Sequence, residues 1–322
     1  MRGLKRSTFI ASMAAASAPT IVRAQAKAPS EVTINYVYGI AYSPIVVVKS
    51  KGELQRLYPQ TKFNWPILGN LAAIRDGIIA GTVQVGCGSA PPFLVGWDHG
   101  VPWKIFTNLC SADIKMVAIE PRIKSLKDIK PDDRIAVPSA DSIQAIQLRK
   151  ASLMQLGNPH ALDSNMSFMA HPEGLQAMLS GQVAAVYSSP PFQQIALSKG
   201  AHVVVEGDQL FPHASFVMSY INTNFAAQYP EFAQTLFRLI SDATKFIRTN
   251  KDTTADFLSK DTGGKIAASV FREELNDKAV VFEPVPHGVI GYAQFMHQIG
   301  LIGKVPASVS ELEYSGMGGV GD

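Results

Sequence analysis

Polar and apolar positions alternate through "EVTINYVYG" (residues 31–39), the two-residue period of a half-buried strand. The period then changes: "SPIVVVKSKGELQRLY" (43–58) predicts a helix, with Pro44 in its first turn, where the helix has no internal use for an N–H. "TKFNWPIL" reads as the next strand, "NLAAIRDGIIAG" as the next helix and "VQVGCG" as a third strand. That βαβαβ order favours a mainly parallel sheet with helices on both faces. Strands "WKIFTNLC" and "KMVAIE" come next, followed by a polar, hinge-like segment "PRIKSLKDIKPDD" (121–133).

A second α/β series succeeds it. Strand "RIAVP" leads into a helix from Asp141 to about Leu156, then strand "NMSFMA", helix "PEGLQAMLSG", strand "VAAVYS", helix "PPFQQIALSKG" and strand "AHVVVEG". "ASFVMSYIN" (214–222) reads as a strand returning to the first series. The remainder is helical, and within residues 229–250 the apolar positions Phe232, Leu236, Leu239, Ile240, Ala243 and Ile247 form a core-facing stripe. The fold class predicted is α/β in two lobes, each built on a mainly parallel sheet covered by helices.

One phrase occurs twice. "GSAPPF" (88–93) follows a helix, a glycine and a short strand, and "SSPPF" (188–192) follows the same succession about a hundred residues later. Each copy is a strand-to-helix junction, the part of an open α/β sheet where ligands bind. Counting all junctions of this kind gives Tyr42-Ser43-Pro44, Leu68-Gly69-Asn70, Ser89-Ala90-Pro91, Ser139 to Ser142, His171-Pro172-Glu173 and Ser188-Ser189-Pro190. Three fall in each series, so six helix starts are expected to converge on one cleft, with positive dipole ends turned toward it.

The candidate ligand contacts follow from these junctions. They are Tyr42, Ser43, Trp65, Gly69, Asn70, Ser89, Ala90, Ser139, Asp141, Ser142, His171, Tyr187, Ser188 and Ser189. Structural roles compete for several of them. A Ser before a helix is commonly its cap, Asp141 with Gln144 fits a D-x-x-Q capping box, and acids are favoured in a first turn such as that of Glu173. Phe93 and Phe192 are better suited to packing under their own helices than to lining a cleft. Tyr42, a large ring between a strand and Ser-Pro, is the best single candidate.

Composition narrows the function. Residues 1–26 combine Arg2, Lys5 and Arg6, an apolar Ala-rich run and the ending Ala24-Gln25-Ala26, which predicts a secretory signal cleaved near Ala26. The signal holds four basic residues (Arg2, Lys5, Arg6 and Arg23), so the 29 Lys and Arg against 26 Asp and Glu become 25 against 26 in the mature chain. A near-neutral protein without basic runs does not suit nucleic acid. No later apolar run approaches the roughly 20 residues of a membrane helix, so the mature protein is expected to be soluble. The seven His show no metal-ligand spacing, Cys87 and Cys110 are either bridged or buried free thiols, and no cofactor is expected. There is no G-x-S-x-G elbow, and the chain is not expected to be an enzyme.

Four segments carry a family resemblance: "GIAYSPIVVVKSKG", "AAIRDGIIAGTVQVGCGSAPPF", "SLKDIKPDDRIAVPSADS" and "GLQAMLSGQVAAVYSSPPF". In this order, behind an export signal, they resemble the periplasmic solute-binding proteins of ABC importers. The group is the NMT1/THI5-like one, with nitrate, sulfonate, taurine and thiamine-precursor binders. The resemblance implies a type II periplasmic-binding-protein fold, with lobe one from 27–114 plus 215–322 and lobe two from 115–214. It further implies a monomer that closes by hinge motion over a small solute and delivers it to a membrane permease with a cytoplasmic ATPase. A solute sensor reporting to a membrane receptor is the alternative; a thiamine-pyrimidine-synthase-like enzyme is disfavoured by two isolated Cys in place of a Cys cluster.

The chain departs from the group at the ligand. "VPSADS" replaces the Lys-Gly-Ser-like phrase of sulfonate-type relatives, Ala184 and Ala185 stand where many members have an acid, and the junctions contain no Lys or Arg. An anion would rest on N–H groups, hydroxyls and His171. The rings of Tyr38, Tyr42, Trp65, Phe93, Tyr187, Phe192 and Phe216 suit an aromatic or heterocyclic solute instead, and the ligand stays open at this point.

Overall fold

The computed structural model describes residues 28–67 and 71–315. The signal segment and the candidates Gly69 and Asn70 lie outside the described residues.

Among the described residues ten strands make up the sheets: β1 (Glu31–Thr33), β2 (Lys62–Asn64), β3 (Val85–Gly88), β4 (Trp103–Ser111), β5 (Lys115–Ala118), β6 (Ile135–Val137), β7 (Met166–Phe168), β8 (Ala185–Ser188), β9 (His202–Glu206) and β10 (Ser215–Asn222). One group is β1-β2 with β3-β10-β4, linked by the bridge of Ile34 to Val85. The other is the five-stranded sheet β7-β6-β8-β5-β9. Its strands all come from residues 115–206, while the first group draws on both sides of that span.

The chain therefore crosses between the sheets twice, through Ala112–Ile114 and through Gly207–Ala214. The polar segment 121–133, expected to be hinge-like, is not a crossover. It lies between β5 and β6 of a single sheet, tied down by Arg122, which donates to the Asp128 carbonyl and to the Asp133 carboxylate.

Parallel pairing holds for β1–β2, β6–β7 and β6–β8, whereas β5 and β10 run antiparallel to both of their neighbours. These are the strands that directly follow a crossover. Chain entering from the other lobe meets the sheet from the opposite end, so the expected mainly parallel sheets become mixed.

The helices before β10 are α1 (Ser43–Lys51), α2 (Glu53–Leu57), α3 (Leu71–Ile79), α4 (Ala90–Asp98), α5 (Ile143–Leu156), α6 (His171–Leu179) and α7 (Phe192–Ser198). The stretch expected as one helix over 43–58 is two, because Gly52 adopts φ 63 and ends α1 with a left-handed cap. After β10 come α8 (Thr223–Gln228), α9 (Pro230–Thr249), α10 (Lys251–Asp261), α11 (Ala268–Asn276) and α12 (Val289–Gln298). All six members of the predicted stripe on α9 are buried. Each of the five larger side chains contributes about 1.5–3 kcal/mol through burial, and together with Ala243 they seat α9 against α1.

Behind the crossovers α12 reaches the second lobe. Gln147 of α5 donates to the Tyr292 hydroxyl at 2.9 Å and accepts from the Tyr187 hydroxyl at 2.7 Å, all three residues being buried. Phe211, in the second crossover, stacks on Tyr292 with ring centroids 4.0 Å apart.

Candidate functional site

The C-terminal ends of β3, β6 and β8 each give way to a loop of small residues, then a helix, so the chain turns back with its side chains crowded around the strand ends. Those turns enclose a cavity of about 280 Å³ between the two sheets. Tyr38, Gly39, Ala41 and Tyr42, ahead of α1, form one wall. Ser89 before α4 adjoins them, and Pro138, Ser139 and Ser142 before α5 face them. His171 and Pro172 opening α6, with Ser189, Pro190 and Phe192 at α7, complete the far side. Phe216 and Val217 of β10 form the floor beside the second crossover.

The local geometry explains why these residues are small. Gly39 adopts φ 144, a region that side-chain-bearing residues rarely enter, and a Cβ there would lie 3.6 Å from the Pro190 carbonyl oxygen across the cavity. Ser142 caps α5, its hydroxyl accepting from the Ala145 N–H at 3.2 Å and donating to the Ser139 carbonyl at 2.7 Å. The D-x-x-Q box expected at Asp141 does not form. Asp141 instead accepts from the Ser139 hydroxyl at 2.7 Å and turns its other oxygen toward Arg75 of α3, 3.9 Å away.

His171 is the one titratable imidazole in the wall. Its Nδ1 lies 2.9 Å from the Ser188 hydroxyl and its Nε2 3.5 Å from that of Ser189, and its ring stacks on Phe192 at 5.8 Å. Loss of solvation on this wall pushes its pKa down to about 4, so the ring is neutral at physiological pH. Both ring nitrogens meet hydroxyls and neither meets a carboxylate, so a Ser-His-acid relay is not assembled here. Among the described residues no group of three or more His, Cys, Asp or Glu could hold a metal ion.

Of the sequence candidates, Tyr42, Ser89, Ser139, Ser142, His171 and Ser189 line the cavity. Six others stand back from it. Ser43 is buried and donates to the Ile40 carbonyl; Ala90 is buried inside the first turn of α4; Trp65 packs beside Phe63, ring centroids 6.4 Å apart. Asp141 sits one hydrogen bond behind Ser139, and Ser188 one behind His171. Tyr187 points the other way, to Gln147, because alternate residues of β8 face opposite sides of the sheet. Phe93 stacks between Trp103 and Tyr220 and is core.

Lining residues that the junction pattern did not single out include Gly39, Ala41, Ile67, Gln144 and Val217. Gly39 carried a usable signal, as a glycine ending an alternating strand just before a helix. Val217 carried none, since its place depends on where β10 enters the other sheet.

A family model described as NMT1-like matches residues 25–260, nearly three quarters of the sequence. The chain belongs to the NMT1-like family. A protein of Escherichia coli (strain K12) named for binding aliphatic sulfonates is 23% identical over 263 residues, covering 77% of this chain and 76% of that protein.

Among solved structures, the alkanesulfonate-binding protein SsuA of Xanthomonas axonopodis pv. citri, bound to MOPS, superposes with a TM-score of 0.74 at 19% identity, over 90% of this chain and 99% of its own. The periplasmic nitrate-binding protein NrtA of Synechocystis gives 0.74 at 12% identity, over 89% and 87%. A Candida albicans protein described as having the generic periplasmic binding protein fold gives 0.66 at 10% identity, over 87% and 94%. The NMT1-like chain shares that two-lobed fold.

Proposed function

We propose that this NMT1-like protein is the extracytoplasmic solute-binding component of an ABC importer, closing its lobes over a small organic molecule and handing it to a membrane permease. The observation that carries the reading is the cavity between the sheets, walled by helix starts from both lobes at the strand ends. A site split between two bodies joined by two short crossovers exists only when they are together, so binding and closure are one event. The relatives named for sulfonate and nitrate binding support the reading. So do the predicted signal over residues 1–26 and the lack, among the described residues, of any helix long and apolar enough to cross a membrane.

Capture rather than catalysis is favoured at this site because it offers neutral hydroxyls and an imidazole without an acid partner. The test is direct. Purified mature protein is examined by native mass spectrometry for a retained solute and by thermal shift over a library of sulfonates, carboxylates, nitrate, aromatic acids and pyrimidines. A ligand at a hundred times its dissociation constant adds about 2.7 kcal/mol to stability, and closure lowers the radius of gyration in solution scattering. Retained solute absent, no stabilising compound and no change in scattering would together overturn the proposal.

A further inference from the structure

The charge on the ligand can be read from what the cavity lacks. No Lys, Arg, Asp or Glu lines it among the described residues; its polar groups are the hydroxyls of Tyr38, Tyr42 and four serines, the Gln144 amide and His171. Arg75, at the edge, already faces Asp141.

Helix starts could still hold an anion through their free N–H groups, and the sequence thins that supply. The first three residues of a helix donate N–H groups that nothing inside the helix accepts, and these are the groups an anion uses. In α4 the second and third of those positions are Pro91 and Pro92, which have no N–H. In α1 the second is Pro44, and in α6 it is Pro172. At α7, Pro190 and Pro191 lack the donor, and the N–H groups of Phe192 and Gln193 are already given to the Ser189 carbonyl at 2.8 and 3.2 Å. Six donors are thus missing from four of the junctions.

Of the described junctions only α5 begins without proline, and there the Asp141 carboxylate sits directly behind the wall, accepting from the cavity-lining Ser139 hydroxyl. Arg75 pairs with that carboxylate, and the Ala145 N–H is already given to the Ser142 hydroxyl, so this junction too presents no free cation and few free donors. His171, neutral down to about pH 4, adds no positive charge. A desolvated anion without a partner costs several kcal/mol, far more than a neutral group that finds one hydroxyl.

The remaining walls are apolar and aromatic. Tyr38, Tyr42, Phe192 and Phe216 surround the cavity, with Ile67, Ile143 and Val217 between them. About 280 Å³ is at or below the small end of ligand pockets, which run on the order of 300–1,000 Å³ for drug-sized molecules, so the occupant is about one ring in size. Building on the solute-capture reading above, we infer that the cavity takes an uncharged, ring-bearing molecule held by the serine hydroxyls and His171, and that it discriminates against sulfonates, carboxylates and nitrate.

Near-isosteric pairs in which a neutral amide replaces the anionic oxygen test this: benzamide against benzoate, benzenesulfonamide against benzenesulfonate, and propionamide against propionate. Each is titrated into the mature protein at pH 7.5 by calorimetry, at low and at high salt. The expected result is that the neutral aryl member binds at least about tenfold tighter than its anion, a difference of about 1.4 kcal/mol, with affinity insensitive to salt. Equal or tighter binding of the anions, or of the alkyl amide over the aryl amides, overturns the inference and leaves solute capture standing. If no member binds, the solute retained in native mass spectrometry decides: an uncharged ring compound upholds the inference, and an anion overturns it. A protein that neither binds a member nor retains a solute loses both this inference and the reading beneath it.

Discussion

His171 shows how one side chain couples the site to pH. Its folded-state pKa of about 4 lies below the ordinary 6.5, so the stability it contributes is present above 6.5 and is lost as pH falls toward 4. Replacing it by Gln should flatten the acid side of a melting-temperature profile between those values, and scans across pH 4–8 check this.

Glu274 of α11 works in the opposite direction. It is buried with Oε2 unpartnered, and burial, helped by the neighbouring Asp277 and Glu273, raises its pKa to about 8. A raised acid pKa gives stability that is full below 4.5 and declines as pH rises through about 8. Glu274→Gln should remove that decline, leaving the variant more stable than the parent at pH 8.5; an unchanged slope in denaturant titrations would contradict the assignment.

Tyr42 combines two roles that the sequence presented as one. Only 9% exposed, it lines the cavity and also belongs to the core cluster, so Tyr42→Ala should abolish ligand stabilisation and lower unliganded stability, by roughly 3–5 kcal/mol. Thermal scans with and without ligand separate the two effects.

Elements transmit the site's geometry to the rest of the chain. Gly207 opens the second crossover where a Cβ would lie 2.4 Å from Gln147 Oε1 and 2.7 Å from the Ile114 carbonyl of the first crossover. Gly207→Ala should therefore destabilise by about 1–3 kcal/mol, as overpacking does, and weaken ligand binding by misplacing both crossovers. Gln147→Leu leaves the Tyr187 and Tyr292 hydroxyls buried without their partner and should cost about 1–3 kcal/mol. Denaturant unfolding of both variants, with m-values compared, measures the two effects.

Strands β3 and β4 also settle the cysteines. Cys87 and Cys110 are buried free thiols in separate strands, and burial raises both pKa values. A thiol titration should find no reactive group in the native mature protein and two after denaturation, with the melting temperature unaffected by reductant.

At the scale of the molecule, the two crossovers and α12 decide how the lobes meet. A larger cavity of about 540 Å³ lies behind them, lined by Ala112, Gly207, Phe211, Ala214 and Tyr292, and Ile143 and Phe216 border both cavities. The Arg75–Asp141 pair spans the cleft edge at 3.9 Å, with both side chains over a quarter exposed. Exposed pairs of this kind contribute about 0–1 kcal/mol, so Asp141→Asn should change ligand affinity by no more than about fivefold. Calorimetry on that variant tests whether the pair is a minor fastening or the main one.

Local patterning in the sequence specified the strands, the helices and the junctions, because period-2 and period-3.6 alternation and proline at helix starts depend on a few neighbouring residues. It also led to the repeated Pro-Pro-Phe run behind a serine, and so to Ser89, Ser189 and the cavity between them. What it left undecided depends on chain far away in sequence. Tyr187 and Tyr42 both precede helices, yet the face of β8 turns one away while the start of α1 turns the other in. The crossovers lie at 112–114 and 207–214 because β10 pairs with β3 and β4, a choice made by packing over more than a hundred residues of separation. Whether the serines cap, back or face the solute was likewise settled only when two sheets came together around one space.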